Sequence, residues 1–259
     1  MDSNASAVGF EAKGLSIAFG GLKAVQGFGM SLPAGALHGL IGPNGAGKTT
    51  IFNLMTGVYS PDKGALTLGD KSLIGLAPHE IARAGVARTF QNIRLSGRLT
   101  VLENVMLPMH IRVGYNFLEC IGRTERRETW ERLAREKAFD LLSLLGLADR
   151  AQLHAHSLPY GDQRRLEIAR ALALEPKVLL LDEPAAGLNS GEKVALMETV
   201  TKIRKRFAMG ILLIDHDMRL IMGVCERIVV LDHGEVIAEG EPKAIQRDPK
   251  VIEAYLGTE

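Results

Sequence analysis

The sequence is poor in cysteine and aromatic residues, and its charges almost cancel. Only 2 cysteines and 5% aromatic residues occur among 259 residues, and 31 Lys+Arg against 30 Asp+Glu give a formal net charge of +1. Two cysteines are too few for a disulfide framework or a zinc cluster, so we expect Cys120 and Cys225 to be ordinary buried or half-buried thiols. The missing basic excess argues against a nucleic-acid partner.

Long apolar runs are also missing. The N-terminus, MDSNASAVGFEAKG, has no basic start followed by an apolar stretch, as a signal peptide would have. The longest apolar runs, VLLL before Asp182 and ILLI before Asp215, have the length of buried strands and not that of a membrane span. We therefore expect a cytoplasmic protein that serves a membrane, if at all, from its surface.

The order of sequence patterns predicts one α/β domain with a mostly parallel sheet. The stretch to about Pro33 favours antiparallel strands joined by glycine turns. From about Thr100 the pattern becomes helical, with a long amphipathic helix that should end at Gly146. Strands and helices then alternate up to two strands around the turn 232–234, and two short tail helices should be separated by Pro249.

Periodicity divides the long helix into a buried and a solvated face. Glu128 with Arg132, and Glu131 with Arg135, are predicted pairs on the solvated face, since charges four residues apart are neighbours on a helix. The opposite face should be apolar. Its predicted members are Trp130, Leu133, Ala134, Ala138, Leu141 and Leu145.

A phosphate-binding loop follows a short apolar strand. The segment GPNGAGKT at 42–49 matches the pattern G-x-x-x-x-G-K-[ST] between a predicted strand and helix. Its main-chain amides can surround phosphate oxygens, Lys48 adds a positive charge, and the Thr49 hydroxyl can ligate Mg²⁺. The predicted ATP-binding residues here are Gly42, Pro43, Asn44, Gly45, Ala46, Gly47, Lys48, Thr49 and Thr50.

Two carboxylates end a later buried strand, in VLLLDEP. A phosphate-loop enzyme needs an acid at this place to hold Mg²⁺, and Asp182 fits that role. The next residue, Glu183, would orient and deprotonate the water that attacks the γ-phosphate.

The stretch LPYGDQRRLEIARAL at 158–172, a short way before VLLLDEP, resembles the signature of ATP-binding cassette (ABC) ATPases, usually LSGGQ. Phe19 matches the aromatic residue that stacks on adenine, and His216 matches the switch histidine that contacts the γ-phosphate. Gln91 matches the Q-loop glutamine, which implies a γ-phosphate sensor, a magnesium ligand and a contact to the membrane subunit. Residues 184–189 resemble the D-loop, with Asn189 where Asp is common. Tyr160, Gly161 and Asp162 would contact nucleotide from the signature.

The resemblance implies an ABC ATPase fold: a P-loop core with a mostly parallel sheet, an N-terminal antiparallel β subdomain and an inserted α-helical subdomain. Its expected boundaries are 6–240 for the domain, with a core of 6–91 and 158–240, a helical subdomain of 92–157 and a tail of 241–259. ATP and Mg²⁺ are the implied cofactors. The implied partners are a second ATPase subunit, membrane permease subunits and, indirectly, a solute-binding protein, with this chain at the cytoplasmic face of the membrane.

More specific segments resemble the ATPases of branched-chain amino-acid importers. They are TFQNIRLSGRLTVLENVM, the Tyr-Gly form of the signature, HDMRLIMGVCERIVVLDHGEVIAEG and the ending DPKVIEAYLG. Importers of short amides or urea would share nearly all of these segments, and ATPases that export lipid or lipopolysaccharide share some. A soluble ABC ATPase that moves no solute is a further alternative, but only roughly a hundred residues separate the two motifs, and the length leaves no room for a second cassette.

The signature departs from the family pattern at two positions. Pro159 stands where serine usually donates its hydroxyl to the opposite subunit's ATP, and Asp162 stands where glutamine is usual. We expect Asp162 to be a helix N-cap whose charge is met by Arg164, Arg165 or Mg²⁺. One hypothesis is a heterodimer in which the site closed by this signature is the weaker one. The other is that main-chain contacts replace the serine.

Overall fold

Two β-sheets and the helices around them make up the residues that this computed structural model describes, 9–112 and 125–256. The smaller sheet is antiparallel, in the order β2-β1-β4-β5. Its strands are β1 (Phe10–Phe19), β2 (Leu22–Leu32), β4 (Lys63–Leu68) and β5 (Lys71–Ser72). The antiparallel strands expected before Pro33 are therefore present.

The larger sheet is mostly parallel, in the order β10-β9-β3-β8-β7-β6. Only β10 is antiparallel, and the turn at 232–234 joins it to β9 as predicted. The strands are β3 (Leu37–Ile41), β6 (Val86–Arg88), β7 (Val178–Asp182), β8 (Gly210–Ile214), β9 (Arg227–Asp232) and β10 (Glu235–Gly240). The parallel strands bring their carboxyl ends to one edge, where loops can build a site.

Helices connect and cover these strands. They are α1 (Lys48–Met55), α2 (Pro78–Ala84), α3 (Val101–Met106), α4 (Glu125–Leu144), α5 (Tyr160–Leu172), α6 (Ser190–Phe207), α7 (Met218–Val224), α8 (Pro242–Ile245) and α9 (Pro249–Leu256). Short 3₁₀ turns lie at Leu107–Arg112, Ala148–Arg150 and Ala155–Ser157. The tail forms two short helices, as predicted, and Pro249 is the first residue of the second, where its missing N–H costs nothing.

The core lies on both faces of the larger sheet, because successive strand residues point to opposite sides. Along β7, Leu179 and Leu181 pack with α4, α5 and α6, whereas Val178 and Leu180 pack with the smaller sheet and α1. All four side chains are buried, which explains why this strand is apolar up to its last residue, Asp182, and does not alternate.

The predicted faces of the long helix need three corrections. Leu133 is 52% exposed, although Ala134, Ala138, Leu141 and Leu145 are buried as expected and Trp130 is partly buried. Arg132 pairs with Glu136, at 3.3 Å, in place of the predicted Glu128. The helix ends at Leu144, two residues before Gly146. The apolar stripe is narrower than the sequence pattern suggested, because α4 packs on its neighbours along one side only.

Cys225 is buried, and burial raises its pKa to about 12. Cys120 lies outside the described residues. No helix in the ranges 9–112 and 125–256 is long and apolar enough to cross a bilayer.

Candidate functional site

The glycine-rich segment 42–47 forms the connection between β3 and α1, as the motif requires. Gly47 is the N-cap of α1 in the left-handed conformation, with a φ of 102°. A Cβ atom there would lie 2.7 Å from the carbonyl oxygen of Ala24 on β2, so only glycine fits. The Gly234 amide donates to the Ala46 carbonyl at 3.0 Å. The β2 strand and the β9–β10 turn therefore fix the shape of the loop.

The first turn of α1 presents main-chain donors. Because the helix begins at Lys48, the amides of Lys48, Thr49 and Thr50 have no carbonyl acceptor one turn earlier within the helix. No side chain caps this end and no acidic residue lies in the first turn, so the positive end of the helix dipole stays available to an anion.

The Lys48 side chain lies across the loop. Its Nζ donates to the carbonyl oxygens of Gly42, at 2.7 Å, and of Pro43, at 2.8 Å. Burial lowers the pKa of Lys48, while the nearby carboxylates of Glu183 and Asp182 raise it and offset part of that effect. The ammonium group is therefore held by the loop carbonyls, within electrostatic reach of both carboxylates.

Asp182 ends β7 in a buried ion pair with Arg88, which ends the neighbouring strand β6. The Arg88 Nη2 to Asp182 Oδ2 distance is 2.7 Å, and the two side chains are 7% and 6% exposed. Arg88 also donates to Asn53 Oδ1 on α1 at 2.7 Å. Its guanidinium group lies 5.3 Å from the Phe52 ring centre and 5.2 Å from that of Phe90. Arg88 thus joins Asp182 to the helix that follows the phosphate loop.

Glu183 meets Gln91 and His216. The Gln91 Nε2 donates to Glu183 Oε2 at 2.8 Å, and His216 Nδ1 lies 3.9 Å from the same oxygen. Glu183 has a φ of 45°, uncommon for a residue other than glycine, and its amide donates to the Ile214 carbonyl at 2.8 Å. The segments that follow β6, β7 and β8 thereby bring the three predicted catalytic side chains together.

Phe19 lies at the end of β1, 43% exposed. Its ring meets that of Tyr59 edge to face, with 5.1 Å between ring centres. An exposed aromatic pair offers a flat apolar surface on which a base could stack.

The segment that resembles the signature begins α5. Pro159 is the N-cap and forms no side-chain cap, so the prediction that Asp162 is the N-cap is wrong. Asp162 lies in the first turn and is 3% exposed. Its carboxylate pairs with Arg165, as one expected alternative had it, and with Arg150, which the sequence did not indicate. Arg164, the other expected partner, instead donates to the Phe90 and Gln91 carbonyls and to the Tyr160 hydroxyl.

The segment 184–189 leads into α6. Asn189 caps this helix: its side chain accepts from the Glu192 amide at 3.0 Å, and Glu192 accepts from the Asn189 amide at 2.9 Å. Such a reciprocal capping box satisfies two amides at the helix start. Gly187 lies against the Tyr160 ring, and Gly161 lies near Leu188 and Glu192. The predicted signature and D-loop segments are therefore in contact.

Sequence reasoning missed three side chains that shape this site, Tyr59, Arg88 and Glu167, and it expected Arg164 to meet Asp162 and not the Gln91 carbonyl. Arg88 stands in the short apolar segment GVARTF, and the rule that parallel strands end at one edge could have placed it near Asp182. Nothing in the sequence pattern indicates the partners of Tyr59, Arg164 or Glu167.

The residues suit a magnesium ion that is shared with a nucleotide. No group of three or more His, Cys, Asp or Glu side chains in the described part of the chain could hold a metal by itself. Mg²⁺ commonly takes one or two protein ligands and completes its shell with water and phosphate oxygens. The Thr49 hydroxyl and the Asp182 carboxylate are donors of this kind.

Two family models and a known relative match this chain. Residues 25–186 match the family described as "ABC transporter", and residues 235–259 match "Branched-chain amino acid ATP-binding cassette transporter". A relative from Pseudomonas aeruginosa, the high-affinity branched-chain amino acid transport ATP-binding protein BraF, is 44% identical over 247 residues, covering 95% of this chain and 97% of its own.

Solved structures are similar as well. The ADP conformation of MJ1267, an ATP-binding cassette of an ABC transporter, superposes with a TM-score of 0.83 at 30% identity and covers 97% of this chain and 99% of its own. The dimeric structure of MJ0796, a bacterial ABC transporter cassette, has a TM-score of 0.74 at 26% identity, with 90% and 98% covered.

Proposed function

Because the chain belongs to the ABC transporter family, we propose that it uses ATP to drive uptake of branched-chain or related amino acids through membrane-spanning partner subunits. The ATPase activity is the part common to the family. The observation that carries the proposal is the meeting of Lys48, Asp182, Glu183 and Gln91 beside a phosphate loop of the expected form.

Each side chain has a task in hydrolysis. The amides of the loop and of the first turn of α1 bind phosphate oxygens, and Lys48 can turn from the carbonyls of Gly42 and Pro43 to the same oxygens. Glu183 accepts the proton of the attacking water. Gln91 and His216, both near the Glu183 carboxylate, orient that water and contact the γ-phosphate.

Thr49 and Asp182 would hold Mg²⁺, with Gln91 as a further ligand. The ion would supply positive charge against the β- and γ-phosphates during phosphoryl transfer. Arg88 keeps the Asp182 carboxylate in place through one oxygen, Oδ2. Phe19, with Tyr59 beside it, would stack on the adenine ring.

The division of the chain into a core of 6–91 and 158–240, a helical part of 92–157 and a tail of 241–259 belongs to the same proposal. In the proposed assembly, two cassettes enclose two ATP molecules. The phosphate loop of each faces the other's signature, which here includes Tyr160, Gly161 and Asp162. A dimeric cassette among the similar structures supports such an arrangement. Nucleotide contacts from both subunits exist only in the closed pair, so ATP shifts the equilibrium toward closure.

The likeness to BraF and the match of residues 235–259 support an amino-acid importer over an exporter of lipid or lipopolysaccharide. The membrane subunits and a solute-binding protein would then select the solute. The chain would act at the cytoplasmic face of the membrane.

Two substitutions test the hydrolysis mechanism in the assembled transporter. Glu183→Gln should bind ATP but hydrolyse it at least about a hundredfold more slowly, since a positioned general base contributes on the order of a hundredfold or more. Lys48→Ala should weaken nucleotide binding itself. Hydrolysis by Glu183→Gln at the parent rate would refute the mechanism.

Uptake of labelled leucine into proteoliposomes, driven by enclosed ATP, tests the transport direction. Urea and a short amide serve as comparison solutes. Export, or uptake of the amide or urea in preference to leucine, would contradict the proposed substrate class without touching the ATPase mechanism.

A further inference from the structure

Arg164 on α5 is buried and contacts the main chain next to Gln91. Its side chain is 4% exposed. Nη1 donates to the Phe90 carbonyl at 3.1 Å, and Nη2 donates to the Gln91 carbonyl at 2.6 Å. A single guanidinium group thus holds two successive main-chain carbonyls, and the second belongs to Gln91, whose side chain reaches Glu183.

The same guanidinium group reaches the start of α5. Nε and Nη2 of Arg164 donate to the Tyr160 hydroxyl, at 3.1 and 2.7 Å, and the guanidinium carbon lies 5.2 Å from the ring centre. The Tyr160 ring also lies against Gly187, where an added Cβ would be 2.9 Å from Cε1. Arg164 therefore connects Gln91 to the segments that resemble the signature and the D-loop.

A second residue of α5 completes the attachment. Glu167 accepts from the Phe90 amide at 3.3 Å, and its carboxylate lies 3.6 Å from Arg164 Nη1. Both the N–H and the C=O of Phe90 are consequently bonded to α5. The backbone before Gln91 has little freedom to move independently of this helix.

We propose that Arg164 is a positioning residue for hydrolysis: by holding the Phe90 and Gln91 carbonyls and the Tyr160 hydroxyl together, it keeps the Gln91 amide on Glu183 and makes that position depend on the signature end of α5. This inference rests on the proposed role of Gln91 and Glu183. Through Arg164, the hydrolysis site of a chain would be connected directly to the surface that the same chain offers to a partner's ATP.

The path requires a planar group with several donors. Lysine at position 164 would keep the positive charge but would offer one nitrogen in place of three, and it could not span two carbonyls and a phenol with the same geometry. Arg165, the next residue, pairs with Asp162 and donates to the Leu145 carbonyl, so it does not duplicate the contact.

A double-mutant cycle on the assembled transporter tests the proposal. Arg164→Met should lower kcat by about tenfold to a hundredfold, because a small displacement of groups around the reacting atoms is costly. The KM for ATP should change much less. If Arg164 acts through Gln91, the Arg164→Met/Gln91→Ala double variant should match Gln91→Ala alone within about twofold. Losses in kcat that multiply would overturn the proposal.

Two further variants keep the test decisive. Should Arg164→Met fail to fold, Tyr160→Phe, which removes one hydroxyl, replaces it in the same cycle and should also give a kcat loss that disappears in the Gln91→Ala background. Arg204→Met is the matched control, since Arg204 pairs with Glu226 on another part of the surface, and its kcat should equal that of the parent.

The cycle separates this proposal from the proposed function. If Gln91→Ala leaves kcat unchanged while Glu183→Gln abolishes hydrolysis, the positioning role fails and the ATPase mechanism stands. If Glu183→Gln hydrolyses ATP at the parent rate, the mechanism itself fails.

Discussion

Arg88 and Asp182 form an ion pair at 2.7 Å between the ends of two neighbouring parallel strands, nearly out of contact with water. Arg88 also contacts Asn53 and the Phe52 ring on the helix after the phosphate loop, and the Phe90 ring in the chain before Gln91. The proposed magnesium ligand is therefore held by the same residue that packs the phosphate loop's helix against the sheet.

Removing Arg88 should destabilise the fold strongly. Arg88→Met leaves the Asp182 carboxylate buried without its cation, which in other proteins costs about 3–5 kcal/mol of unfolding free energy. Urea unfolding of the full-length chain measures the loss. Arg132→Met breaks the exposed pair with Glu136 and should change stability by no more than about 0.5 kcal/mol. Similar losses for the two variants would show that burial of the Arg88 pair is unimportant.

Two loop glycines should respond differently to alanine. Gly45 and Gly47 both have positive φ, 82° and 102°, so alanine at either site carries a left-handed strain of about 1–2 kcal/mol. Only at Gly47 would the new Cβ also press on the Ala24 carbonyl, at 2.7 Å, whereas nothing lies within 4 Å of it at Gly45. Gly47→Ala should therefore lower the free energy of unfolding, measured with urea, by roughly 1–3 kcal/mol more than Gly45→Ala does. Equal costs would mean that β2 does not limit the loop.

The parts of the fold and site that follow from local pattern could be predicted. The strand, glycine loop and helix around residues 42–49 are contiguous in sequence, and so are the strand that ends in Asp182 and the Glu183 that follows it. Each depends on neighbours along the chain and on apolar residues at strand spacing. The antiparallel start and the turn at 232–234 followed from turn residues between short apolar runs.

Contacts between distant segments could not be predicted in this way. Arg88 is 94 residues from Asp182, and Arg164 is 73 residues from Gln91. Periodicity placed Leu133 on the apolar face, but the packing neighbours of α4 cover less of its circumference than the pattern allows. Asp162 was a good N-cap by residue type, and the N-cap nevertheless lies three residues earlier, at Pro159, because Arg150 and Arg165 hold the Asp162 carboxylate inside the first turn.

The pH dependence of stability should reveal Glu167. Burial raises the pKa of Glu167, and this effect outweighs the lowering by the Phe90 amide and Arg164. Between the ordinary value of 4.5 and the raised value, the folded state keeps a proton that the unfolded state releases, so this residue's contribution falls as pH rises through that window. In the Glu167→Gln variant, the free energy of unfolding measured with urea should decline less steeply from pH 4.5 upward than in the parent. Parallel profiles for parent and variant would contradict the assignment.

Pro159, the N-cap of α5, offers no side-chain hydrogen bond to the helix. Pro159→Ser introduces a hydroxyl that can cap the first turn, and it should stabilise the chain by about 1 kcal/mol in urea unfolding whatever the partner is. In the proposed assembly the same hydroxyl would face the partner's ATP. If the site closed by this signature is the weaker of two, turnover should rise along with stability. If main-chain amides already replace the serine, stability should rise and turnover should stay unchanged.

Pro159→Ala separates the two effects because it restores the N–H without the hydroxyl. A gain in turnover with serine and not with alanine supports the asymmetric pair, whereas an equal gain with both, or a loss with serine, contradicts it.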